Sequence, residues 1–147
     1  MAYYICPNCK RRSLDQDGRE GLTHQAVGCS SCGFGFLFQL LDDYYPGPVT
    51  AFIVCDRERR IIAVGRGFFE WTGYTERDLL GRELTEALAL DGTEGRHPAD
   101  VAVEWGVRQL DRELTLRTRS GLVKNVTADF FPAYDEDGGL MVALAPR

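Results

Sequence analysis

Two cysteine pairs at the front of the chain constrain its fold more than any other feature. Cys6 and Cys9 stand in CPNC, and Cys29 and Cys32 stand in CSSC, with nineteen residues between the pairs. A two-residue spacer lets both thiolates of a knuckle reach one tetrahedral ion at about 2.3 Å. Two such pairs at this separation supply a complete four-sulfur shell. Pro7, Asn8, Ser30, Ser31 and Gly33 are the small or turn-forming neighbours that such knuckles need. The competing readings are two disulfides or a redox-active CxxC. A reducing compartment disfavours the first, and the matched pairing disfavours the second. We therefore expect a structural Zn2+ ion held by Cys6, Cys9, Cys29 and Cys32, with no coordination position left for a catalytic water. So small a module buries too little surface to fold alone. Metal binding, of order 10–16 kcal/mol in zinc-finger peptides, would stabilise it.

Between the knuckles, turn formers dominate, and Thr23–Val27 suits a short strand of a hairpin that brings the knuckles together. His24 reads as an ordinary strand residue, because four cysteines already complete the shell. On CPNC and CSSCG, residues 4–36 resemble a zinc ribbon, and residues 1–36 are assigned to it. The net charge of −5 is unevenly spread, with +1 on residues 1–36 and −6 on residues 37–147. Only Lys10-Arg11-Arg12 offers the clustered cations that a phosphate backbone attracts. Nucleic acid is therefore not favoured as a partner.

The apolar run FGFLFQLL follows the second knuckle and stops at Asp42, well short of the roughly 18 residues of a membrane-spanning helix. The N-terminus lacks a basic leader before an apolar core. The expectation is a cytoplasmic protein with no membrane attachment. Residues 37–47 are expected to be a helical connector, with Phe36, Phe38, Leu40 and Leu41 as contact residues in a homodimer. Pro46-Gly47-Pro48 breaks that helix and marks a domain boundary.

Beyond the boundary, AFIVCD (51–56) and RIIAVG (60–65) read as strands joined by the charged turn RER (57–59). Cys55, inside the first strand, reads as a buried structural cysteine. RGFFEWTGYTERDLLGRELTEAL then reads as short helices. Phe68 and Trp71, three apart, can share a face. Gly73 allows a left-handed stop, and Thr75 with Asp78 forms a capping box. A further helix starts near Pro98, with Asp100 in its first turn. Its apolar stripe runs through Val103, Val107, Leu110 and Leu114. ELTLRTRSG and LVKNVTADFFPAY alternate as paired strands turning at Ser120-Gly121, DEDGG makes another turn, and LMVALA is the final strand.

On Phe68, Trp71, the run TGYTERDLLG and HPAD at 97–100, residues 48–147 resemble a PAS domain. Gly65 departs from the pattern, since many members carry Asn there, but glycine is tolerated as a cap. The expected fold is α+β, a PAS-like five-stranded antiparallel sheet with short helices on one face, preceded by the small zinc ribbon.

The resemblance implies a sensor or protein-interaction role, with any ligand between sheet and helices. Phe68, Trp71, Val103 and Val107 are the pocket candidates. Light-sensing relatives use a cysteine in the helical region, and residues 66–110 contain none. Haem-binding relatives use an axial histidine, and His97 is the one histidine of this region, in a capping position. Neither flavin nor haem is expected. Nor is catalysis, because no nucleophile–histidine constellation, phosphate loop or paired-histidine motif appears. The leading reading is a signalling or regulatory protein acting through a protein partner or a second copy. The alternatives are a transcription-related nucleic-acid-binding regulator and a small-molecule sensor.

Overall fold

A computed structural model of the chain describes residues 3–6, 8, 12–14, 38–40, 49–92, 97–132 and 139–147. Near the N-terminus, β1 (Tyr3–Ile5), β2 (Arg12–Leu14) and β3 (Phe38–Leu40) form an antiparallel sheet in the order β2-β1-β3. Ile5 lies opposite both Arg12 and Phe38. The end of β1 that leads into Cys6 therefore sits beside the starts of β2 and β3.

The strand β3 corrects the helix expected over residues 37–47. The propensity of LFQL leans to helix, but β1 supplies partners for its backbone groups at Phe38–Leu40. Of the four expected contact residues, Phe38 and Leu40 fall in β3. Phe36 and Leu41 lie outside the described residues, as do Cys9, Cys29, Cys32, the expected strand Thr23–Val27 and most of the DEDGG turn.

The main sheet comprises β4 (Ala51–Cys55), β5 (Ile61–Val64), β6 (Gln109–Arg117), β7 (Val123–Pro132) and β8 (Leu140–Pro146). Its order is β5-β4-β8-β7-β6, antiparallel throughout. Four short helices lie between β5 and β6: α1 (Phe68–Thr72), α2 (Glu76–Leu79), α3 (Leu84–Leu88) and α4 (Pro98–Trp105). Phe68, Leu79, Leu84, Leu88, Ala99 and Ala102 from these helices close one core with alternate residues of the sheet.

Local chemistry accounts for the breaks. The β4–β5 turn is tied by Asp56, whose Oδ1 accepts from the amides of Glu58 and Arg60, both at 2.9 Å. Arg59 sits there at φ 66, left-handed and unfavourable for a side chain. Its guanidinium offsets this by pairing with Glu83 at 3.3 Å and Asp100 at 2.7 Å, tying the turn to the starts of α3 and α4. The Thr75–Asp78 box forms as expected, with Thr75 Oγ1 accepting from the Asp78 amide and Asp78 Oδ2 accepting from the Thr75 amide. The last helix begins at Pro98 as expected but ends at Trp105, where Gly106 at φ 67 stops it. The stripe breaks beyond the stop, because the β6–β7 register shifts between Gln109 and Arg112 and leaves Leu110 and Leu114 in different surroundings. Leu114 is thus a buried residue of β6, while Val107 and Leu110 are exposed.

Candidate functional site

The four pocket candidates do not converge. Phe68 is fully buried in the core. Trp71 is half-buried and packs edge-on against Phe68, with ring centroids 5.6 Å apart. Val103 packs against the same core from α4. Val107 is 48% exposed past the end of its helix and lines nothing with the other three.

The feature that forms around Trp71 is an open cleft of about 500 Å3 between α1 and the β6–β7 turn, lined among others by Phe69, Trp71, Arg119, Leu122 and Lys124. Its walls are held by the carbonyls that α1 leaves unpaired at its end. Lys124 Nζ donates to the Trp71 carbonyl at 2.9 Å, and the Arg119 amide donates to the Thr72 carbonyl at 2.9 Å. Gly73 (φ 80) ends the helix, and a Cβ there would come within 3.4 Å of Arg119 Cβ. Tyr74 adds a phenol hydrogen bond to the Arg117 carbonyl at 3.0 Å. Trp71 Nε1 is buried with no acceptor among the described residues, an arrangement that costs about 1–3 kcal/mol unless an acceptor is supplied. Arg119, Leu122 and Lys124 escaped the sequence reading because their neighbours on α1 lie some fifty positions away.

Both nitrogens of His97 are engaged. Nδ1 accepts from the Ala99 amide at 3.1 Å, which caps α4 and leaves the proton on Nε2 to donate to the Leu90 carbonyl at 3.0 Å. The ring also packs edge-on against Phe130, with centroids 5.9 Å apart. The capping role read from HPAD holds.

Three groups have shifted acidity. Burial first, then the negative charges of Asp56 and Glu83, push the Cys55 thiol far up. Burial also opposes ionisation of Glu83, but hydrogen bonds from Thr85, the Glu86 amide and Arg59 outweigh it and hold the carboxyl below its usual range. Asp78 is held low chiefly by the Thr75 amide.

Of the four cysteines expected to bind metal, Cys6 lies within the described residues, fully buried at the end of β1. No group of three or more metal-ligating side chains occurs among the described residues. Asn8, in the middle of CPNC, accepts through Oδ1 a hydrogen bond from the Arg66 amide at 3.1 Å. Arg66 lies between β5 and α1, so Asn8 touches the main domain where its helices begin.

A five-stranded antiparallel sheet of this order, with the described short helices on one side, defines an α+β architecture. Residues 49–145 match the family described as the PAS fold, and the chain belongs to that family. No curated protein matches the chain. Among solved structures, the light-state dimer of the fungal blue-light photoreceptor Vivid is similar at a TM-score of 0.56 and 17% identity, covering 71% of this chain and 82% of that one. The PAS domain of a protein from Colwellia psychrerythraea gives 0.53 and 19%, covering 67% and 86%. The PAS domain of nitrogen regulation protein NR(II) from Vibrio parahaemolyticus gives 0.52 and 14%, covering 69% and 92%. At these identities the likeness is one of fold. No helix among the described residues is long and apolar enough to cross a membrane.

Proposed function

We propose that the chain is a signalling module in which a PAS domain works together with a zinc-held N-terminal ribbon and passes its signal by contact with a protein partner or a second copy. The observation that carries this reading is the hydrogen bond from the Arg66 amide to Asn8, which links CPNC to the junction of β5 and α1. A displacement of α1 would be felt at the first cysteine pair. The metal reading draws support from the register: Ile5 lies opposite Arg12 and Phe38, so the strands flanking both cysteine pairs meet at one end of their sheet. Buried Cys6 suits an enclosed thiolate ligand. Zinc would supply the cross-link that so small a sheet lacks, with Cys6, Cys9, Cys29 and Cys32 as its ligands and no catalytic role.

Native mass spectrometry of the whole chain tests this. One zinc per chain is expected, lost in C29S and C32S, and protein that stays metal-free when produced with zinc present would overturn it. The same spectra report whether a second copy binds. Binding to random DNA that weakens with salt and disappears when Lys10, Arg11 and Arg12 are neutralised would favour the nucleic-acid reading instead.

A second reading, a small-molecule sensor, is favoured by the buried donor of Trp71. An acceptor-bearing ligand beside α1 would satisfy it. Such a ligand, co-purifying with the wild type and lost from Trp71→Phe, is the expected mass-spectrometric result. Protein free of small molecules would count against it.

A further inference from the structure

The β6–β7 turn concentrates positive charge in a chain that is otherwise acidic. Residues 114–128 hold Arg117, Arg119 and Lys124 and no Asp or Glu, whereas residues 37–147 together carry −6. The sheet register decides where two of these cations point. Lys124 lies opposite Leu116, a residue of the helix-covered core, so both project from the helix side of the sheet. Arg117, opposite Val123, is one position along and on the other face. Of the three, Arg119 and Lys124 line the cleft beside α1, and Arg117 does not.

The cleft combines three properties of a docking groove. Its volume of about 500 Å3 falls within the roughly 300–1,000 Å3 of ligand-sized pockets. An apolar side chain stands on each wall, Phe69 of α1 and Leu122 of the turn, exposed by 55% and 63%. Its cations also keep donors in reserve. Lys124 Nζ gives one of its three protons to the Trp71 carbonyl. Arg119 meets Asp78 through Nε at 3.2 Å, which leaves the donors of its terminal nitrogens. Glu70 is the one acidic residue among the described lining. Two cations are too few for a phosphate backbone, whose affinity comes from many neutralised charges, and Glu70 and Asp78 beside them would repel it.

We propose that this cleft docks an acidic segment of a protein partner, with an apolar side chain between Phe69 and Leu122 and flanking carboxylates on Arg119 and Lys124. An apolar centre inside a polar rim is the ordinary anatomy of a protein contact. The proposal rests on the reading of the chain as a module that signals by protein contact, and it gives that contact a place. The place suits a relay. Lys124 and the Arg119 amide hold the Trp71 and Thr72 carbonyls, so a segment gripping these two residues pulls on the end of α1. The start of that helix follows Arg66, whose amide meets Asn8.

A random-peptide phage library panned on the whole chain supplies the probe, and the selected sequences are then synthesised. Peptides with Asp or Glu flanking a large apolar residue are expected, bound more weakly as salt rises. On binding, the amide signals of residues 68–73 and 118–124 should shift in NMR spectra. Phe69→Ser and Leu122→Ser change side chains that already meet water, so the fold stays. Each should weaken the peptide about tenfold, as loss of an anchor contact does. Arg119→Gln should flatten the salt dependence. Basic or uncharged selected peptides, or wild-type affinity in Phe69→Ser and Leu122→Ser, overturn the proposal. So does a single-stranded oligonucleotide that shifts the same signals, or self-association that those two variants abolish. Acidic peptides that shift signals elsewhere sink this site and leave signalling by protein contact standing, whereas a chain that selects no peptide counts against both.

Discussion

Cys55 is a thiol denied its chemistry. It sits 1% exposed in β4, and burial together with the charges of Asp56 and Glu83 keeps it protonated. Because the thiolate is the reactive form, native protein at pH 8 should leave Cys55 unlabelled by iodoacetamide, with labelling only after unfolding. Peptide mass spectrometry reads the result. The sign with pH follows from the raised pKa. The unfolded thiol ionises from about pH 9, while the folded one does not, so this contribution is complete below pH 9 and is lost as pH rises. Urea midpoints at pH 8 and pH 10 should differ more for the wild type than for Cys55→Ala. The gap corresponds to about 1 kcal/mol, and equal differences would reject it. The sequence was enough to read Cys55 as buried, since its strand neighbours are apolar. It did not reveal the unpaired Trp71 donor, which depends on groups that only the folded chain brings near.

At the scale of elements, the short helices were the most legible part, because their signals are local. Thr75 and Asp78 are three residues apart and bond each other reciprocally, with Asp78 Oδ2 also pairing with Arg119 at 3.2 Å. Thr75→Ala should cost about 1 kcal/mol while Thr75→Ser restores it, as thermal melts can check. The end of α4 was less legible, since Val107, Leu110 and Leu114 fit a helix and a strand alike. Glu83, at the start of α3, went unread because glutamate is an uncommon cap and its partner Arg59 lies in another turn. Both Asp78 and Glu83 are held below their usual ranges. Their stabilisation is present above the ordinary values of 3.8 and 4.5 and is lost as pH falls below them. The melting temperature should therefore drop between pH 5 and pH 3, more steeply in the wild type than in Glu83→Gln. Parallel slopes would mean that Glu83 contributes nothing.

At the scale of the molecule, AFIVC and LMVAL are apolar at odd and even positions alike, the pattern of strands buried on both faces. That signal stood in the sequence, but what lies on the second face did not, because contacts between distant segments leave no periodicity. The helical reading failed at residues 38–40 for the same reason, since β3 is extended by its pairing with a strand 35 positions away. If zinc cross-links the N-terminal sheet, which Asn8 ties to the main domain through the Arg66 amide, removing the metal should loosen the main sheet as well. Amide exchange in β4 and β8 should rise in C29S relative to the wild type. Unchanged exchange there, with the metal lost, would show that the two sheets are not coupled.

The position of β8 has one more consequence. In the sheet the hairpins β4–β5 and β6–β7 are joined through β8, the latest of the five strands in the chain. On a translating ribosome the two halves emerge early but stay unjoined until residue 146 has cleared the exit tunnel. A nascent chain stalled before Leu140 would carry two half-sheets, each with the apolar edge that β8 normally covers open to chaperones and proteases.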